Sequence, residues 1–163
     1  MKNKILIFVI TILVLTSTSA YTLHTPAVST NSGVITLMLT NNTIALGGEL
    51  GLTPNLAVAA NLNAPFSRIG VKYQIDSNLA LLGGVSSGST PYLGVNGSNW
   101  INRDLTALYE LNLLMSNNKL ILPYELGIRI NLNHNLDLRA GVFGNIESDI
   151  KFPSLKAGIG YRF

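Results

Sequence analysis

The sequence contains no cysteine, so disulfide bonds and thiolate metal sites are excluded. Charged residues make up only 12% of the chain, and without Lys2 and Lys4 the basic residues outnumber the acidic ones by one. This balance predicts no nucleic-acid partner. No stretch after residue 30 keeps a helical apolar period for long, whereas alternation of apolar and polar residues recurs. We therefore expect an all-β chain without cofactor or metal ion.

The N-terminal segment has the layout of a secretory signal peptide. Lys2 and Lys4 precede the apolar run 5–15, and the small residues T-S-T-S-A (16–20) follow it. This run is too short to span about 30 Å of hydrocarbon as a helix. We predict a signal peptide at 1–20 with cleavage after Ala20, an unstructured lead-in at 21–32, and a single domain at 33–163.

A turn pattern recurs along the domain: an aliphatic residue, three turn residues, then leucine. It occurs at L-T-P-N-L (52–56), I-D-S-N-L (75–79), I-N-R-D-L (101–105) and L-N-H-N-L (132–136). Three-residue hairpin loops commonly need a left-handed third residue, which Asn and Asp tolerate best among the non-glycine residues. The pattern therefore predicts left-handed conformations at Asn55, Asn78, Asp104 and Asn135.

The parity of the flanking residues gives the register of these hairpins. Apolar residues face each other if Leu50 is opposite Val58, Ile75 opposite Leu79, Tyr73 opposite Leu81, and Ile128 opposite Ala140. The turns and the other breaks predict ten strands, with eight as the alternative if the sixth strand and a neighbour are absent. We place them at 33–40, 43–52, 56–63, 68–75, 79–86, 92–101, 105–116, 119–132, 136–144 and 154–163.

The two faces of these strands differ in chemistry. One face is apolar and carries Leu50, Val58, Tyr73, Leu111, Tyr124, Leu126, Ile128 and Ile130. The other carries Glu49, Arg68, Lys72, Glu110, Glu125, Arg129, Asp137, Arg139, Lys156 and Arg162, mixed with Gly and Ala. Long charged residues beside small ones suit a narrow, filled interior, where small residues of strands two, three and five leave space for Arg and Glu from strands eight to ten. An outward apolar band requires lipid, and an open sheet edge is costly there, so we predict a closed antiparallel up-and-down transmembrane β-barrel.

The last strand completes this interpretation. It ends A-G-I-G-Y-R-F, with Ile159, Tyr161 and Phe163 on its apolar face. Together with the signal peptide and the alternating strands, this ending resembles small bacterial outer-membrane β-barrel proteins of the OmpA/OmpX type. The resemblance implies that Ile159, Tyr161 and Phe163 form the signal read by the outer-membrane assembly machinery. It also implies a monomer in the Gram-negative outer membrane, in contact with lipid and lipopolysaccharide.

One pair of residues is a catalytic candidate. A two-residue turn at Asn117-Asn118 places Glu110 directly opposite Glu125, both facing inward, and adjacent carboxylates can divide into an acid and a base. The alternative is a neutralised charge cluster of the kind that fills small barrels, with Arg129 and Arg139 as the compensating charges. We favour the second interpretation. His24 falls in the lead-in and His134 in a turn, so neither histidine is expected to join a constellation with a lumen Ser and carboxylate.

Three functions remain compatible with the sequence. The first is an outer-membrane barrel with a mainly structural role or a narrow, porin-like path for small solutes, without enzymatic activity. The second is a lipid-modifying enzyme that uses Glu110 and Glu125. The third is a soluble exported barrel of lipocalin type with an apolar interior. The short outer loops offer little material for a receptor surface, a lid or a plug.

Overall fold

Nearly all of the chain that can be described is β-strand. The computed structural model describes residues 24–27, 29–40, 43–62, 67–116, 119–146 and 153–163. The strands are β1 (Gly33–Thr40), β2 (Thr43–Gly51), β3 (Leu56–Leu62), β4 (Arg68–Asp76), β5 (Leu79–Ser86), β6 (Thr90–Trp100), β7 (Leu105–Ser116), β8 (Lys119–Asn131), β9 (Leu136–Ile146) and β10 (Ser154–Arg162). A short 3-10 turn at Ser87–Ser89 joins β5 to β6. The predicted signal peptide and the Asn117-Asn118 turn lie outside the described residues.

The strands form one closed antiparallel barrel in which each strand pairs with its neighbours in the chain. The first and last strands close it, with a register that runs from Val34 opposite Arg162 to Thr40 opposite Lys156. The prediction of ten strands, rather than eight, is confirmed. Within the described ranges, no helix has the length and apolar character needed to cross a membrane.

The two ends of the barrel differ. The four repeated turns lie at one end, together with the start of β1 and with Phe163, whose backbone pairs with Gly33. We call this the turn end and the opposite one the loop end. The distinction matters because a strand position now gives the depth of its side chain within the barrel.

Most of the predicted hairpin registers are confirmed. Leu50 is opposite Val58, Tyr73 is opposite Leu81, and Ile128 is opposite Ala140. The pairing of Ile75 with Leu79 is wrong, because the ladder shifts between Gln74 and Asp76 and places Asp76 opposite Leu79. A β-bulge of this kind adds one unpaired residue to a strand, and a shorter turn remains.

The predicted left-handed residues in the turns are also wrong. Among the described non-glycine residues, only Asn31 and Ser89 have a positive φ. Instead, the side chain of the first turn residue accepts backbone N–H groups further along the turn. Asn133 Oδ1 accepts from Asn135 N at 2.9 Å and Leu136 N at 2.8 Å, and Thr53, Asp76 and Asn102 act alike. Short Asx and Thr side chains mimic a backbone turn in this way, without a left-handed residue.

The two faces of the sheet are separated as a barrel requires. Large apolar side chains are exposed on the outside, including Ile69, Tyr73, Leu111, Leu126, Ile130 and Ile159. Apolar packing inside is confined to small clusters, such as Met38 with Ala45 and Leu108. The remaining interior is polar, so the charged side chains of the strands meet in the lumen.

Candidate functional site

The ten charged residues predicted for the lumen all have their side chains in the barrel interior. Six are basic and four are acidic, and nine of them are almost fully buried. The side chain of Arg162 is 32% exposed because it lies at the turn end. Ile159, Tyr161 and Phe163 are exposed on the outer side, and their role as an assembly signal stays a prediction.

Glu110 and Glu125 lie opposite each other in the β7–β8 register. Arg68 forms an ion pair with Glu110 and also lies 3.9 Å from Glu125 Oε1. Lys156 forms an ion pair with Glu125, and Asn112 Nδ2 donates to Glu110 Oε1 at 2.8 Å. Each carboxylate therefore has its own cationic partner.

These partners differ from the expected ones. Arg129 and Arg139 are opposite each other, as predicted, but the ion pairs described for the two glutamates are with Arg68 and Lys156. The compensating residues belong to β4 and β10, which do not pair with the strands of the glutamates. Hairpin parity relates only adjacent strands, so it could not identify partners on non-adjacent strands.

Residues 24–27 belong to the lead-in that we expected to be unstructured, and contacts of His24 and Thr25 hold them in the barrel interior. His24 is buried, and its Nε2 lies 2.9 Å from Asn61 Oδ1. Its Nδ1 lies 3.4 Å from Glu49 Oε2, and its backbone carbonyl accepts from Asn96 Nδ2 at 3.1 Å. His24 thus contacts a lumen carboxylate, although no contact with a serine is seen in the described residues. We call residues 24–27 the inner segment.

Lys72 holds the next residue of the inner segment. Its Nζ donates to the carbonyl of Thr25 at 2.6 Å and forms an ion pair with Glu49. A cavity of about 10 Å³ remains between His24, Asn61 and Tyr92, which is room for about one water molecule. Side chains of four strands thus fix the inner segment, and it fills this side of the lumen.

A third group of charges lies near the turn end. Arg139 Nε donates to Asp137 Oδ1 at 2.6 Å, and Arg162 Nη2 donates to Asp137 Oδ2 at 3.0 Å. Arg129 is close enough to all three for electrostatic interaction, and its Nη2 donates to Thr106 Oγ1 at 3.3 Å. We call Arg129, Arg139 and Arg162, with Asp137, the arginine cluster.

This interior excludes the lipocalin-type alternative. A barrel that binds a hydrophobic ligand needs an apolar lumen, whereas here the ion pairs lie inside and the apolar residues lie outside. In the described ranges, no group of three or more His, Asp and Glu residues is placed to hold a metal ion.

Sequence reasoning missed the uncharged polar residues of the lumen. Asn61, Asn96 and Asn112 are buried, and two of them contact His24. A signal was present, because Asn61 shares the inward parity of Ala57 and Ala59. An inward asparagine needs hydrogen-bond partners, but parity does not show that the chain itself supplies them.

Comparison with known proteins adds information on the fold. No protein-family model matches the sequence, and no curated protein matches it either. The KdgM porin is similar in structure, with a TM-score of 0.51 at 8% identity over 81% of this chain and 99% of that chain. KdgM in complex with disordered oligogalacturonate gives a TM-score of 0.50 at 9% identity over the same shares. The outer membrane protein Ail of Yersinia pestis gives 0.44 at 16% identity, over 81% of this chain and 97% of Ail.

At such low identities the likeness concerns the fold alone. That fold is a closed antiparallel β-barrel like that of the KdgM porin, and a closed antiparallel barrel is what the sequence predicts.

Proposed function

We propose that this protein is an integral outer-membrane barrel with a mainly structural role, whose lumen is closed to solutes. The observation that carries the proposal is the filled interior. The ion pairs Arg68–Glu110 and Lys156–Glu125 cross one side of the lumen, and the inner segment occupies the other. Paired and hydrogen-bonded charges are tolerated when buried, whereas a conducting path would need hydrated, separated charges.

The outer surface supports a location in lipid. Apolar side chains are exposed on strands around the whole barrel, while the ten charged residues of the lumen point inward. Such a band is typical of barrels that contact the hydrocarbon of a bilayer. We expect a monomer that contacts outer-membrane lipid and lipopolysaccharide, and that reaches the membrane through the assembly machinery after removal of its signal peptide.

A catalytic role for the paired glutamates has less support. Glu110 and Glu125 are almost completely buried, and Arg68 and Lys156 separate them from the rest of the lumen as counterions. A lipid substrate on the outer surface would have to pass through the barrel wall to reach these carboxylates in the lumen. The geometry therefore favours a role in stability over acid–base chemistry.

A narrow, gated pore is the second candidate. The KdgM porin shares the fold, and the inner segment is held in the lumen by side chains rather than by strand pairing. Release of this segment would leave small residues such as Ala57 and Ala59 facing an open space. The two candidates differ in whether the barrel conducts once the segment is displaced.

Conductance in planar bilayers tests both candidates. We expect no steady conductance from the purified protein, and large, stable channels would refute the closed-lumen proposal. A variant with residues 24–27 replaced by Gly-Ser-Gly-Ser keeps the length of the chain but removes the side-chain contacts of His24. A silent variant supports the structural role, whereas a conducting one supports the gated pore. The matched control is Ala27→Ser, because the side chain of Ala27 is exposed.

A further inference from the structure

The charges of the lumen are not balanced evenly along the barrel. Three basic residues each have a carboxylate partner: Lys72 with Glu49, Arg68 with Glu110, and Lys156 with Glu125. Among the described lumen residues, the remaining charges belong to the arginine cluster, where Asp137 is the one carboxylate beside three arginines. The excess of two positive charges among these residues therefore lies at the turn end.

Both carboxylate oxygens of Asp137 accept hydrogen bonds from two of the three arginines. Arg139 donates to both of its oxygens, at 2.6 and 3.2 Å. Arg162 donates to Oδ2 at 3.0 Å and to Asn131 Oδ1 at 2.7 Å. A Cβ on Gly160 would lie 2.4 Å from Asp137 Oδ1 and 2.7 Å from Arg139 Nη2, so this pair packs directly over the backbone of β10. The pair is thus fixed in position.

Arg129 lacks such a partner. It is only 8% exposed, yet its Nε has no hydrogen-bond acceptor in the described structure. Its one hydrogen bond goes to the neutral hydroxyl of Thr106, and its guanidinium lies 6.0 Å from the ring centre of Trp100. A buried guanidinium without an anion is costly. The site therefore lacks an acceptor with negative charge.

We infer that the arginine cluster binds a phosphate group that enters from the turn end. The guanidinium fork matches the geometry of phosphate oxygens, and Arg129 presents an unused donor to such a ligand. A phosphate monoester carries close to two negative charges near neutral pH, which equals the excess of the cluster. Arg162 is one-third exposed at the turn end, so a ligand can reach the cluster from solvent there.

The chain offers a matched pair of variants. Arg129→Gln removes the buried guanidinium. Arg103→Gln removes the same charge from an exposed turn at the same end of the barrel. We expect inorganic phosphate to raise the melting temperature of the wild type and of Arg103→Gln in nanodiscs of zwitterionic lipid. The apparent affinity should fall at least tenfold in Arg129→Gln.

Further measurements test three points: whether the effect is specific to phosphate, whether it needs the guanidinium fork, and whether the phosphate comes from a lipid headgroup. Sodium chloride at equal ionic strength should not reproduce the shift, and an equal shift would refute a phosphate site. Arg129→Lys keeps the charge but loses the fork, so it should bind more weakly than the wild type even if Arg129→Gln fails to fold. Equal phosphate binding by wild type and Arg129→Lys would refute the role of the fork, and no binding by the wild type would refute the site. Nanodiscs that contain phosphatidic acid separate the sources: stabilisation by this lipid without added phosphate would identify a headgroup phosphate as the ligand.

Discussion

The substitution Leu126→Arg tests directly which surface faces lipid. Leu126 is 52% exposed on the outer side of the barrel, one position after the middle of β8, which has 13 residues. A tilted strand rises about 2.5 Å per residue along the membrane normal. Leu126 should therefore lie within about 3 Å of mid-bilayer, where an outward arginine costs roughly 2–4 kcal/mol.

Leu132→Arg is the matched control. Leu132 is also 52% exposed, but it follows the end of β8 at the turn end. Its position is about 15 Å further along the normal, beyond the half-height of an apolar band about 25 Å tall. The same substitution should cost about 0–1 kcal/mol there, so the folding equilibrium constants of the two variants should differ roughly fivefold or more.

The assay is urea titration of refolding into lipid vesicles. Trp100 is the single tryptophan of the chain, and its ring lies 6.0 Å from the guanidinium of Arg129 at the turn end of the lumen, so its fluorescence reports folding of the barrel. The two variants share residue type and exposure, so only depth in a bilayer distinguishes them. Equal destabilisation of both would show that the outer surface does not face hydrocarbon.

Two further predictions concern closure and charge. Deletion of Phe163 should reduce assembly into the outer membrane far more than Phe163→Leu does, because the deletion also removes the two 3.0 Å backbone hydrogen bonds to Gly33. The yield of each variant in the outer-membrane fraction measures this effect. Equal yields would contradict the prediction. The double variant Glu110→Gln/Glu125→Gln should lower stability by roughly 3–5 kcal/mol, because it leaves Arg68 and Lys156 buried without a carboxylate. Urea midpoints in vesicles measure the loss, Asp104→Asn on an exposed turn is the control, and an unchanged midpoint would show that these charges are not paired.

The strands could be predicted because the sequence pattern that determines them, alternation between turns, is local. Alternation has a period of two residues, so each turn fixes which side chains share a face. Glu110 is opposite Glu125 and Arg129 opposite Arg139 for this reason. The prediction failed where a bulge shifts the parity, at Ile75. It also failed in the turns, where a side-chain acceptor such as Asn133 replaces the left-handed residue.

The contacts across the lumen could not be predicted from the same pattern. Arg68 and Glu110 are on β4 and β7, and only the curvature of the closed barrel brings them together. His24 precedes the first strand, and its position depends on hydrogen bonds to β3 and β6. No periodicity relates such residues, because their separation is set by the diameter and stagger of the whole barrel.

The position of the inner segment follows from the width of a ten-stranded barrel. An eight-stranded barrel is just filled by its own side chains, and two more strands widen the lumen slightly. The long side chains of β7, β8 and β10 fill one side through Glu110, Glu125 and Lys156. From the sequence, we expected the small residues of β2, β3 and β5 to leave space for Arg and Glu side chains of β8 to β10. The structure instead places His24 beside Ala59, where a short piece of backbone adds hydrogen-bonding groups without another charge. In the described structure, ion-paired side chains therefore occupy one side of the lumen and residues 24–27 the other.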